Sequence, residues 1–172
     1  MKINSTRLQQ HFEAMSLIGK IGETGTNRPA HSADEKKAFE LAASWMQEAG
    51  MTTKIDNFGN LIGHLQGSKP ELPVLMMGSH LDSQPYGGRF DGVAGVLCAI
   101  EVVKVLFDNN IIPERSIEVI SFADEEGWRF NKGLFGSKGI LGKLEEDDLQ
   151  RKDANGITRE QALKEFGCDI TK

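Results

Sequence analysis

The sequence predicts an α/β domain of three layers, a mainly parallel sheet with helices on both faces. Three observations lead there. Residues 72–80, LPVLMMGSH, form a nearly continuous apolar run, the mark of a strand buried on both faces. The stretch from about Gly92 to Asn109 is rich in Val, Ala, Leu and Ile and reads as a long helix. SIEVISFA, residues 116–123, is the next strand. Strand, helix, strand in that order is a parallel βαβ unit with a right-handed crossover.

The remaining elements follow in chain order. Asn4 or Ser5 caps a first helix running to about Ile21, with Leu8, Phe12, Met15 and Ile18 or Gly19 at helical spacing. GETGTNRPAHS is loop-like. Ser32 with Glu35 three positions on is a capping box that starts a second helix. Phe39, Ala42, Ala43 and Met46 form its apolar face, and Gly50 is its stop. TTKID and NLIGHLQG are strand-like and flank the turn Asn57-Phe58-Gly59. Towards the end come FGSKGILG, an acidic helical segment EEDDLQ, and a short helix TREQALKEF. Thr158 and Gln161 form the capping box of that last helix, and Gly167 ends it.

A length of 172 residues suits one domain with a real core. Hydrophobic content of 39% and charged content of 26% belong to a soluble globular chain. With 20 basic and 25 acidic residues the net charge is -5, and no Lys/Arg cluster marks a surface for nucleic acid. No apolar run approaches the roughly 20 residues that span a bilayer, and the first residues have no apolar core of a signal peptide. Two cysteines, Cys98 and Cys168, make no disulfide framework. Cys98 is expected to be a small buried hydrophobe, and a reducing cytoplasm is the expected compartment.

The polar residues concentrate at the ends of the two βαβ strands, where open α/β sheets bind ligands. After the first comes Gly-Ser-His80-Leu-Asp82-Ser and the glycine-rich PYGGRFDG with Asp91. After the second comes Ala-Asp124-Glu125-Glu126-Gly-Trp-Arg129-Phe. Gathered carboxylates repel, and burying them unpaired is costly, so a divalent cation is the natural counter-charge. Imidazole and carboxylate together suit zinc, or manganese, nickel or cobalt. Asp82, two residues past His80 on an extended segment, is placed to orient the His80 ring. Asp91, at the start of a helix, is placed to bridge two ions, its charge favoured by the helix N-terminus. Of the diverging pair Glu125 and Glu126, one binds metal while the other serves as general base. His11 is expected on an exposed helix position, His64 in packing or at the surface, and His31 in a loop with no role. The EEDD run reads as a solvated helix start. Taken singly, His-x-Asp, Asp-Gly and Glu-Glu are each weak signals; their order at adjacent strand ends is specific.

GSHLDSQPYGGRFDGVAGVL with FADEEGWRFNKGLFGSKGILG resembles the M20-type metallohydrolases. Within them it is most similar to the hydantoinase/carbamoylase group, the N-carbamoyl-L-amino-acid hydrolases and allantoate amidohydrolases. The resemblance implies two divalent metal ions: His80 a ligand of one, Asp91 the bridge, Glu126 a ligand of the second. It implies Glu125 as general base and Asp82 as the residue that holds His80. The reaction implied is hydrolysis of a linear amide or ureido C–N bond in a small molecule. Residues 1–172 then correspond to the N-terminal portion of the catalytic domain. A dimerisation (lid) domain and a second catalytic half, with two further histidine ligands, would lie outside this chain, and the long family members are homodimers. Two other expectations stand beside this one: a catalytically incompetent piece of such an enzyme, and an M20 peptidase or deacylase.

Overall fold

The computed structural model describes residues 1–170. Helix α1 (Ser5–Leu17) is capped by Asn4, whose side chain accepts the Arg7 N–H. It stops four residues short of Ile21 because Gly19 turns the chain at φ 67°. The next residues are not a plain loop: β1 (Lys20–Ile21) and β2 (Gly25–Thr26) pair with each other, and β2 pairs with β6 (Gly87–Gly88). Strands of two residues carry no side-chain alternation, so the sequence pattern has nothing to show there.

Helix α2 (Ala33–Glu48) starts at Ser32, whose hydroxyl accepts the Glu35 N–H. The Glu35 carboxylate returns to the N–H of His31, one residue before the cap, so the capping box is offset by one. Gly50 follows the helix at φ 80°, as a C-terminal stop requires. Strands β3 (Thr52–Ile55) and β4 (Leu61–Leu65) form an antiparallel hairpin. Strand β5 (Leu75–His80), helix α3 (Val93–Asp108) and strand β7 (Ile117–Phe122) make the expected βαβ unit, β5 and β7 lying parallel and adjacent. Helix α4 (Phe135–Ile140) and helix α5 (Arg159–Phe166) complete the chain, α5 with the Thr158–Gln161 capping box and Gly167 behind it.

The α/β class holds, but the main sheet is mixed rather than mainly parallel. Its order is β3-β4-β7-β5, and only the β5–β7 ladder is parallel. The cause is the β3–β4 hairpin: β4 lies against β7 and runs opposite to it. Strand β5 is therefore an edge, with a partner on one side only. Its Leu75 and Met76 are half-exposed instead of doubly buried. Helices α1, α2 and α3 share one face, where Met15, Phe39, Met46, Leu97 and Ile100 pack against Leu61, Ile117 and Val119. The layer expected over the other face is not formed by these three helices.

Two smaller expectations also change. EEDDLQ is a run of turns, not a helix, and Asp148 within it is buried against Lys132 and Arg159. Cys98 is exposed, on the side of α3 away from the sheet core. Among the described residues no helix is long and apolar enough to cross a membrane.

Candidate functional site

Strands β5 and β7 are in register, with His80 opposite Phe122. Being parallel, they deliver their following loops to the same end of the sheet, which is why Asp82 meets Glu125 and Glu126, 43 and 44 positions on in sequence. His80 is buried at the end of β5. Its Nε2 lies 3.3 Å from Glu125 Oε2 and 3.9 Å from Asp91 Oδ1. Its Nδ1 lies 3.0 Å from the Asp82 carbonyl oxygen and 3.6 Å from the Asp82 carboxylate. Nδ1 faces the Asp82 oxygens and Nε2 faces Asp91 and Glu125; a proton on Nδ1 would leave the Nε2 lone pair for an ion.

Asp82 is buried, and its contact with His80 is made mainly by its main chain. Its carboxylate instead accepts the N–H groups of Glu125, at 3.2 Å, and Glu126, at 3.1 Å. One side chain therefore ties the loop after β5 to the loop after β7. Burial pushes the Asp82 carboxyl up to about 7, against the pull of His80 and of those two amides. Asp91 does not open α3 itself: Gly92 at φ 65° stands at the cap, and the Asp91 side chain is exposed towards His80. Gly92 is required there, since a Cβ would lie 2.5 Å from the His80 ring and from its carbonyl oxygen.

Glu126 has a buried Oε1 with no hydrogen-bond partner. Burial raises its pKa; His80 opposes this, and Asp91 and Glu125 add to it. A buried, unpartnered carboxylate oxygen beside an imidazole lone pair and two further carboxylates is the donor chemistry of a divalent cation. The residue types fit an ion. The geometry is not closed: among the described residues no three His, Cys, Asp or Glu side chains are gathered to hold a metal by themselves.

The other histidines stand apart from this cluster. His11 is half-buried, stacked on Trp45 at 3.9 Å, rather than exposed. His64 pairs with Glu118. His31 is buried among Phe130, Phe135 and Phe166.

Several residues around the cluster carried no sequence signal. Arg28, fully buried, donates from Nε to the Leu81 carbonyl at 2.8 Å and from Nη1 to the Ile18 carbonyl at 3.0 Å. Its main chain exchanges hydrogen bonds with Ser83, and Thr26 donates to the Ser83 hydroxyl oxygen. Arg159, also fully buried, makes two hydrogen bonds to Asp124 Oδ2, at 3.0 and 2.8 Å, with others to the carbonyls of Asp148 and Lys132. In sequence, an isolated arginine reads as surface charge.

The family model that matches, over residues 60–155, is that of peptidase family M28, and the chain belongs to that family. The motifs resemble the M20 type, whereas the matched family is M28; the hydantoinase/carbamoylase group recurs among the relatives. The chain is 49% identical over 168 residues to an N-carbamoyl-L-amino-acid amidohydrolase of Pseudomonas sp. (strain NS671), covering 98% of this chain and 41% of that protein. It is 35% identical over 158 residues to an allantoate deiminase of Arabidopsis thaliana, covering 90% of this chain and 30% of that protein. A solved hydantoinase/carbamoylase family amidase from Burkholderia ambifaria superposes with a TM-score of 0.93 at 40% identity, covering 97% of this chain and 41% of that one. The chain thus spans about two fifths of the length of these bacterial relatives.

Proposed function

We propose that the chain is the N-terminal catalytic portion of a metal-dependent amidohydrolase that cleaves a linear amide or ureido C–N bond, in an N-carbamoyl-L-amino acid or an allantoate-like small molecule. The observation that carries this is the convergence of His80 Nε2 with Glu125 Oε2 at 3.3 Å and Asp91 Oδ1 at 3.9 Å. The names of the relatives supply the substrate class.

In this reading two divalent ions, zinc foremost with manganese, nickel or cobalt as alternatives, supply Lewis acidity and a nucleophile at neutral pH when bound. His80 through its Nε2, Asp91 through its carboxylate and Glu126 through its unpartnered Oε1 would hold them. Glu125 takes a proton from the attacking water and returns it to the leaving nitrogen. Asp82 keeps the two glutamates turned towards His80 by holding their N–H groups. For an N-carbamoyl amino acid the products are the amino acid, carbon dioxide and ammonia. The compartment is the cytoplasm, and the longer proteins of this kind pair as homodimers.

The absence of a closed ligand set among the described residues favours a second reading for the 172-residue chain by itself: a catalytically incompetent piece. Zinc content after dialysis, together with ammonia release from N-carbamoyl-L-amino acids and from allantoate, separates the two. A competent site holds about two ions per chain and loses turnover in Glu125→Gln. Turnover unchanged in that variant rejects the base assignment. Zinc near zero with no ammonia leaves the second reading.

A further inference from the structure

We infer that Arg28 and Arg159 are positioning residues, one behind each of the two loops that carry the cluster, and that they set the geometry in which His80, Asp91 and Glu126 can receive an ion with Glu125 beside it. The inference rests on the reading of those four residues as the site. Both arginines come from segments remote in sequence from the loops they hold, and both are fully buried. A buried guanidinium is costly unless its donors are satisfied; Arg28 gives Nε to the loop after β5 and Nη1 to Ile18, while its Nη2 is buried without a partner, and Arg159 gives two donors to Asp124.

Arg28 leaves the small β1-β2-β6 sheet and grips the segment 80–83. Its Nε holds the Leu81 carbonyl, between His80 and Asp82, while its carbonyl and N–H bracket Ser83. This fixes the direction in which the Asp82 carboxylate leaves the chain, and that carboxylate in turn holds the Glu125 and Glu126 amides. The small sheet thereby acts as a strap over the loop after β5.

Arg159, the first residue of α5, does the same from the other side. It binds Asp124 through two donors, and its guanidinium lies over the rings of Phe130 and Phe135, at 4.9 and 4.5 Å. Asp124 has a φ of 49°, outside the region that its residue type adopts most readily. The two-pronged contact with Arg159 stabilises that backbone, and the next two residues are Glu125 and Glu126. Arg159 thus puts two donors on Asp124, whereas Arg28 spans from the Leu81 carbonyl to the Ile18 carbonyl; in both, a planar guanidinium fixes orientation where one lysine nitrogen fixes only distance.

The test compares the chain with Arg28→Met and Arg159→Met, and with Arg28→Lys and Arg159→Lys in case a methionine variant does not fold. The first readout needs no metal: amide hydrogen exchange at Glu125 and Glu126, against Val119 and Ile120 in β7. Exchange at the two glutamates is expected to quicken about tenfold or more while the β7 amides keep their rates. The second is zinc affinity, measured by competition with a chelating dye and expected to fall about 10- to 100-fold in folded protein. Unchanged exchange at Glu125 and Glu126, an equal increase throughout β7, or altered exchange with zinc affinity intact overturns the inference. A chain that binds no zinc at all overturns the functional reading instead, and the exchange comparison still decides the roles of the arginines.

Discussion

The Glu125 N–H donates to Asp82 Oδ1 over 3.2 Å, so the loop following β7 is hung from a side chain of the loop following β5. The neighbouring Glu126 N–H uses the other carboxylate oxygen. Both oxygens of Asp82 are thus committed to main chain, and the carboxylate works on the glutamates more directly than on His80.

Replacing Asp82 with alanine should therefore separate binding from stability. Two amides lose their acceptor, at about 1–3 kcal/mol each, but the chain no longer has to bury a carboxylate, which offsets part of that loss. The urea midpoint is expected to move modestly. Zinc affinity, which depends on where Glu126 points, is expected to fall about 10- to 100-fold. Titration calorimetry beside urea unfolding measures both; a collapsed midpoint with undiminished affinity would contradict the argument.

Gly92→Ala should damage the same site by a different route. The added Cβ meets the His80 ring at 2.5 Å, and φ of 65° disfavours any residue with a Cβ. Left-handed backbone and overpacking together cost roughly 2–4 kcal/mol. The clash falls on His80, so the His80 ring resonances in an NMR spectrum should shift more than those of His64, which is distant from the substitution. Equal shifts at both would show that the variant acts by general loosening.

The two thiols should differ sharply. Cys98 is exposed, whereas Cys168 is buried and burial pushes its thiol up to about 11, with Asp56 and Glu35 adding to the shift. Only the thiolate reacts. At pH 8 the folded chain should therefore show one fast equivalent with a disulfide reagent, and the second only after denaturant is added. Two equally fast equivalents would mean that the C-terminal segment does not close over Cys168.

What the sequence showed and what it hid divide along physical lines. The capped helices were legible because a cap and a 3.6-residue stripe are local: Asn4, Ser32 and Thr158 all stand where they were expected. The βαβ unit and its cluster were legible because parallel strands deliver His80, Asp82, Glu125 and Glu126 to one end of the sheet. The neighbours of a strand are not written in it, so the apolar run Leu75–Met77 looked doubly buried although β5 is an edge. Arg28 and Arg159 were hidden for a related reason: their partners are main-chain carbonyls and one aspartate far away, and no spacing encodes that.

His31 supplies a pH test with a definite sign. Its ring is buried among phenylalanines, and burial, with Arg129 and Arg159 adding repulsion, lowers its pKa from 6.5 to about 3. The folded ring stays neutral while the unfolded ring takes a proton as pH falls below 6.5, so the unfolded state binds more protons across that window. The contribution of His31 is thus fully present above pH 6.5 and is lost progressively as pH falls towards 3. Glu35, 3.9 Å away and raised by its own burial, pulls in the opposite sense, so the wild-type profile alone is ambiguous. His31→Phe removes one contribution and keeps the other. Relative to that variant, the wild type should lose about 2 kcal/mol between pH 7 and pH 5, measured by urea unfolding at both. A constant difference between the two proteins would show that His31 already takes up its proton in the folded state.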